Sequence, residues 1–234
     1  LFNDTFMDHN YPQVGIAAVE VLERAGFQVS LANAACCGRP MISKGLLDKS
    51  KDHARRNVDL LYPYAERGIP IVGCEPSCLL TLRDEYPDLL QDDKSRLVAA
   101  NSYLIDEFLS MLQEKGALNL EFTDIHKKVL FHGHCHQKAL VGTRHSIATL
   151  RLPPGYQIEE VNSGCCGMAG SFGYEKEHYD ISMAIGRERL FPAVEAKDED
   201  WEVAVMGISC RQQIEHGTGK KARHLVEVLR DAVR

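Results

Sequence analysis

The chain has no apolar run near the ~20 residues a membrane-spanning helix needs, so no transmembrane segment is expected. It also has no excess of basic charge. A formal net charge of −6 with well-mixed signs argues against an electrostatic nucleic-acid surface. The stretch Met168-Ala169-Gly170-Ser171-Phe172-Gly173 looks like a phosphate loop but lacks the lysine-serine ending, which excludes nucleotide binding there. An initiator methionine is missing too: the chain opens on the strand-like Leu1-Phe2. It is therefore expected to be part of something longer, and its lack of a targeting signal carries no information. Nor is it a small secreted disulfide scaffold, because its eight cysteines lie in a helix-rich chain of 234 residues. They group at turns, as ligands in a reducing compartment would. A chain of this length can bury a good core.

What is present centres on Asn162-Ser163-Gly164-Cys165-Cys166-Gly167-Met168-Ala169-Gly170. Glycines let backbone approach a bulky group and adopt positive φ, and the adjacent cysteines can aim two thiolates at one centre. The same word occurs earlier as Cys36-Cys37-Gly38. Leu1-Phe2 likewise recurs as Leu130-Phe131, and both pairs lie 129 positions apart. Gly207-Ile208-Ser209-Cys210 answers Gly73-Cys74-Glu75-Pro76-Ser77-Cys78, making Cys78 and Cys210 equivalent. At the 129 offset, Phe6 faces Cys135. The chain thus divides into a first half at 1–116, a linker at 117–126 and a second half at 127–234.

Strand and helix alternate along both halves, which implies parallel strands with right-handed crossovers. In the first half, Leu1-Phe2 ends a buried strand and Pro12 opens a helix stopped by Gly26. Phe27–Leu31 is a strand, Leu46–Arg67 a helix and Ile69–Val72 a strand. Cys78 starts a short helix that Pro87 closes. The periodicity predicts one helix over Lys94–Lys115 with no counterpart in the second half. The second half reads as strand Val129–His132, a helix from about Gln137 and strand Tyr156–Val161. A long helix from about Tyr174 and strand Val203–Met206 follow, with Cys210 starting another helix. In such sheets ligands gather beyond the carboxyl ends of strands, where every repeat-matched cysteine falls.

Cys135, Cys165, Cys166 and Cys210 come from three separate loops. Four thiolates so placed suit a [4Fe–4S] cluster or a tetrahedral zinc, and an alternative is four thiols buried as small hydrophobes. The first half offers Cys36, Cys37 and Cys78, with Cys74 as a candidate fourth ligand, and reads as a zinc or degenerate metal site. His132-Gly133-His134-Cys135-His136-Gln137-Lys138 is the other dense stretch. Its imidazoles, His134 and His136 among them, could ligate metal, hydrogen-bond sulfur or relay protons, or simply form a histidine-rich strand end. Lys138 and Arg211 could offset anionic charge or be solvated surface residues.

Asp4-Thr5-Phe6, Cys36-Cys37-Gly38-Arg39-Pro40, Glu75-Pro76-Ser77-Cys78 and His134-Cys135-His136-Gln137-Lys138 resemble words of the cysteine-rich CCG-domain family. So do Gly164 to Gly173 and Ser209-Cys210-Arg211. That family includes the cysteine-rich subunit of heterodisulfide reductase, the small subunit of anaerobic glycerol-3-phosphate dehydrogenase, and iron–sulfur subunits of glycolate and lactate oxidases. The chain is similar in particular to the C-terminal Fe–S region of FAD-linked D-2-hydroxyacid dehydrogenases, such as the D-lactate and D-2-hydroxyglutarate enzymes. The resemblance implies an α/β fold of two Rossmann-like halves about a pseudo-twofold, with metal near their interface. It implies an oxidoreductase component that passes electrons from flavin to a quinone or other acceptor. The partners would be an FAD-binding dehydrogenase domain or subunit and a ferredoxin-like Fe–S domain, with FAD held only on a missing N-terminal part. The fragment alone is not expected to oxidise a hydroxy acid. The setting is cytoplasmic or peripheral at the inner membrane. The family's fuller motif ends in Cys-x-x-Cys, but Gln213 stands at the last position, and the first half lacks the leading cysteine. An ordinary four-ligand cluster in the second half therefore fits better than a noncubane one. The alternatives are a thiol or disulfide reductase of the heterodisulfide type and a zinc-stabilised docking domain with no redox role.

Overall fold

A computed structural model describes residues 1–234. Two parallel sheets carry the fold, so the protein is α/β. In the first half, α1 (Thr5–His9) and α2 (Pro12–Arg24) are followed by α3 (Arg39–Ser43) and α4 (Leu47–Glu66). Strand β1 (Ile71–Gly73) then leads into α5 (Pro76–Arg83), α6 (Glu85–Leu90) and α7 (Asp93–Ala100), and β2 (Ser102–Leu104) into α8 (Ile105–Glu114). Strands β1 and β2 pair in parallel, and Phe2 bridges to Gly73 on the other side of β1. In the second half, β3 (Lys127–His132) precedes α9 (Cys135–Leu140) and α10 (Arg144–Leu150), and β4 (Tyr156–Glu160) precedes α11 (Tyr179–Glu188) and α12 (Leu190–Glu195). The chain ends with β5 (Trp201–Val205), α13 (Ile208–Thr218), β6 (Ala222–His224) and α14 (Leu225–Arg230). This sheet has the order β4-β3-β5-β6, parallel throughout.

Local chemistry explains the elements. Pro12 opens α2, where its missing N–H is no loss, and Val14, Ala17, Ala18, Val21 and Leu22 form the buried face. Val129, Leu130, Phe131 and His132 are all fully buried, as expected of a parallel strand covered on both faces. The apolar face of α2 packs not only on Val72 and Ile105 but also on Val226, Leu229 and Val233 of the second half. The halves therefore share one core, and each such aliphatic side chain contributes about 1.5–3 kcal/mol by leaving water. Residues 117–126 connect the halves and also pair with the chain end, since Phe122 bridges Val233 and Thr123 N–H donates to Ala232 O at 2.8 Å.

Four details depart from the sequence reading. The single helix expected over Lys94–Lys115 is α7 and α8 with β2 between them. It does have a counterpart: β2–α8 matches β6–α14, and the Leu104 N–H donates to Glu107 as the His224 N–H does to Glu227. Helical periodicity hid a strand of only three residues. Phe27–Leu31 forms no strand, and Ala32 N–H donates to Leu1 O at 2.9 Å. Pro87 does not close the Cys78 helix, which stops at Arg83; it sits in the first turn of α6, where proline is tolerated. The helix expected from Tyr174 starts at Tyr179, after two 3₁₀ turns, and breaks at Arg189.

Candidate metal centre

Each cysteine of the second half leaves the carboxyl end of a strand. Cys135 follows β3 as the first residue of α9, Cys165 and Cys166 follow β4, and Cys210 follows β5 in the first turn of α13. The side chains meet in a row: Cys135 touches Cys165, Cys165 touches Cys166, and Cys166 touches Cys210. Cys166 and Cys210 are buried, while Cys135 and Cys165 are partly open. Within the row Cys165 is held well below the ordinary thiol range by donation from Cys135 and Cys166 and from the Gly167 N–H, 3.3 Å away. Cys210 is held low by Cys166 and, beyond it, by His132 and His134. Cys135 and Cys166 are pushed up because they serve as the donors, with burial adding to the effect. The four sulfurs thus form a chain of neighbouring contacts, in which Cys165 and Cys210 are the two held down.

The Cys165-Cys166-Gly167 loop depends on glycine. Gly167 has φ +101°, and a Cβ there would lie 2.1 Å from the Ser182 carbonyl on α11. Lys138 ties the approach to the loop by donating to the carbonyls of Ser163 at 2.6 Å and Gly164 at 3.2 Å. Its charge is thus used on backbone. Arg211 is engaged by Glu227 at 3.0 Å and Glu215 at 3.3 Å and lies over the Tyr11 ring. His134 caps α9, its Nδ1 accepting the His136 N–H at 3.2 Å. His136 points at Asp84 and Glu85 of the first half, and burial with the nearby Arg39 charge lowers it to about 4, so its ring is neutral at physiological pH. Gln213, at the missing cysteine's position, donates to Ser182 O and Oγ, both at 3.1 Å.

The first half brings together Cys36, Cys37 and Cys78. It does not bring Cys74 to them: Cys74 lies in the core shared by the halves, beside Met7, Val14, Val72 and Ile105, whereas Cys37 and Cys78 belong to the neighbouring cluster. The residue answering to Cys135 is Thr5 rather than Phe6. Thr5 is the first residue of α1 after the cap Asp4, as Cys135 is the first residue of α9 after the cap His134. Its hydroxyl contacts Cys36 as the Cys135 thiol contacts Cys165. The strand-to-helix loop is one residue shorter in the first half, which shifts a fixed 129 offset by one. All three thiols are pushed up: Cys36 through its contact with Cys37, and Cys37 and Cys78 through burial among thiols, with Asp4 and Glu75 adding to it at Cys78. The loop hangs on buried Asn57, which pairs with Ala35 N–H at 2.9 Å, and on Tyr86, whose hydroxyl donates to Cys37 O at 2.9 Å.

Two residues that the sequence reading met only inside longer motifs gain definite contacts here. His132 is fully buried; its Nδ1 pairs with Ser163 Oγ at 2.9 Å, and its Nε2 has no oxygen or nitrogen partner beside the Cys210 sulfur. Glu75 is 4% exposed and reaches into both halves. Its place just before Pro76 at a helix start was the available signal.

Fold and side chains together describe a parallel α/β protein of two related halves, each gathering at least three cysteines. The chain belongs to the CCG cysteine-rich domain family, whose profile matches residues 5–83 and 129–215, once in each half. It is 32% identical over 234 residues to one of the subunits of anaerobic glycerol-3-phosphate dehydrogenase of Escherichia coli, a match covering 99% of this chain and 58% of that protein. It is 30% identical over 232 residues to D-2-hydroxyglutarate dehydrogenase of the same organism, covering 99% of this chain and 22% of that one. It is 28% identical over 246 residues to lactate utilization protein A of Bacillus subtilis, covering 98% and 97%. The chain therefore spans little more than half of the first relative and about a fifth of the second. Two of these relatives are named as a dehydrogenase or a dehydrogenase subunit. No helix is long and apolar enough to cross a membrane.

Proposed function

We propose that the chain is an iron–sulfur electron-transfer module of a larger flavin-linked 2-hydroxyacid dehydrogenase, with Cys135, Cys165, Cys166 and Cys210 holding a [4Fe–4S] cluster. One observation carries the reading: four thiols from three loops meet in a row, two of them held down by their neighbours, with the buried His132 ring beside Cys210. Such a donor set fits the group. When bound, the cluster supplies a one-electron redox centre. The chain's own part is to hold and orient it. Gly167 brings backbone N–H groups close, His132 offers a hydrogen bond to sulfur, and burial of Cys166 and Cys210 keeps water from that side. The partly open Cys135 and Cys165 are the side from which a partner approaches. Flavin would sit on another part of the enzyme, a ferredoxin-like Fe–S domain would lie beside it, and a quinone or other acceptor would take the electrons, in the cytoplasm or at the inner membrane surface. The relatives support this placement, two of them being named as dehydrogenases or dehydrogenase subunits. In the first half, three thiols and the Thr5 hydroxyl leave a zinc or degenerate site.

The test is metal and acid-labile sulfide content with the visible spectrum after anaerobic purification. About four iron and four sulfide per chain are expected, with broad visible absorption that bleaches on reduction. Zinc alone, without sulfide, would overturn the electron-transfer reading and leave a docking domain.

A further inference from the structure

The first-half residue Glu75 sits where the cysteine-bearing helices of both halves converge. As the cap of α5, its Oε1 accepts the Ser77 N–H at 3.2 Å and the Ser77 hydroxyl at 2.6 Å, fixing the turn that carries Cys78. Its other oxygen, Oε2, accepts the Ile208 N–H at 2.9 Å, at the start of α13 and two residues before Cys210. The helix α13 has no side-chain cap of its own: its cap position is Gly207. A side chain there is excluded, since a Cβ on Gly207 would lie 2.4 Å from the His134 ring. That ring completes the convergence. Because His134 Nδ1 accepts an N–H, its neutral form carries the proton on Nε2, which faces Glu75 Oε1 at 4.0 Å.

We propose that Glu75 is a positioning residue for the second-half cysteine site: one carboxylate, supplied by the other half, that caps α5 and α13 and faces the cap of α9. It orients the turns bearing Cys78 and Cys210 and faces the cap beside Cys135, so the geometry of one half's thiols depends on the other half. A carboxylate this close also disfavours added negative charge at the cysteine site and thereby lowers its reduction potential. The redox part rests on the iron–sulfur reading; the capping part does not.

The experiment compares the whole chain, prepared anaerobically, with Glu75→Gln and Glu75→Ala, and with Glu66→Ala as a surface control. Hydrogen exchange reads the two amides. In Glu75→Ala the Ser77 and Ile208 amides should both exchange at least tenfold faster. In Glu75→Gln one of them should, because the amide side chain offers a single acceptor oxygen. The midpoint potential of the iron–sulfur centre should rise in both variants and stay unchanged in the control. Unaltered Ile208 and Ser77 exchange in Glu75→Ala, or an unmoved potential in an iron-loaded variant, would overturn the proposal. If Glu75→Ala does not fold, Glu75→Gln decides it alone, through the same amides and potential. If the wild-type chain binds no iron, the iron–sulfur reading fails separately. The capping role is then read from alkylation of Cys78 and Cys210, which should both quicken severalfold in Glu75→Ala; unchanged rates would sink it.

Discussion

The two thiol pockets are built on one plan and differ in what surrounds them. In each, a positive-φ glycine follows the adjacent cysteines, and a further cysteine lies in the first turn of a helix. The cap before the remaining ligand position is His134 in one half and Asp4 in the other. Burial beside Glu75 raises the Asp4 carboxyl to about 7. Two thiols are driven down in the second pocket, where sulfur, an N–H group and imidazoles stabilise thiolate. No thiol is driven down in the first, where carboxyls replace the imidazoles and a hydroxyl replaces the fourth sulfur. Ligand count and local charge change together. A duplicated frame can thus keep its shape while the chemistry of its thiols diverges.

The widest gap between the pockets should open on removing a sulfur. Cys166→Ser is expected to abolish iron retention, whereas the equivalent Cys37→Ser leaves iron and sulfide content at the wild-type level. The glycines differ next. Gly167→Ala places a methyl against the Ser182 carbonyl at φ +101° and should cost about 3–5 kcal/mol in urea unfolding. Gly38→Ala meets only the Ser50 hydroxyl, at 2.9 Å, and should cost about 1–2 kcal/mol. Narrowing the difference is the third test: Thr5→Cys completes a fourth thiol, so zinc affinity should rise on the order of tenfold or more by competition with a chromogenic chelator. Cys74→Ala should lower stability by about 1 kcal/mol and leave the metal content of both pockets unchanged. The smallest effect lies far from either pocket. Burial would raise Asp231, but Arg223 and Lys127 hold it down to about 2 from an ordinary 3.8. Its contribution is therefore complete above pH 3.8 and is lost as pH falls toward 2. Allowing for solvent screening, Asp231→Asn should remove about 1 kcal/mol at neutral pH and flatten that acid limb.

Much of this was legible in the sequence. The repeated Cys-Cys-Gly word, the strand–helix alternation and the parallel sheets follow from spacing and glycine placement. So does the set Cys135, Cys165, Cys166 and Cys210 that the fold brings together. The counterpart relation of Thr5 to Cys135 was hidden by a loop one residue shorter, since a constant offset cannot express a local deletion. Cys74 reads as a candidate fourth ligand although it lies only four residues before Cys78 and has no repeat counterpart, and its side chain lies in a different core from that of Cys78. Strand β2 was masked by helical periodicity on both sides. Glu75 and His132 act through contacts between distant segments, Glu75 with Ile208 and His132 with Ser163, which no local window contains.

The sharing of one core by α2 and α14 has a consequence for synthesis. The Arg24 side chain donates to Val233 O at 3.2 Å, and Val14 and Val21 share a cluster with Leu229 and Val233. On the ribosome, the apolar face of α2 must wait for Val226, Leu229 and Val233, which at about 5–20 residues per second is roughly 6–25 s after the first half has emerged. Cys74, a member of that shared cluster, lacks Val226, Leu229 and Val233 beside it throughout the interval, whereas Cys37 and Cys78 belong to a cluster whose buried members all come from the first half. The face of α2 is thus the part of the nascent first half that stays uncovered until α14 emerges.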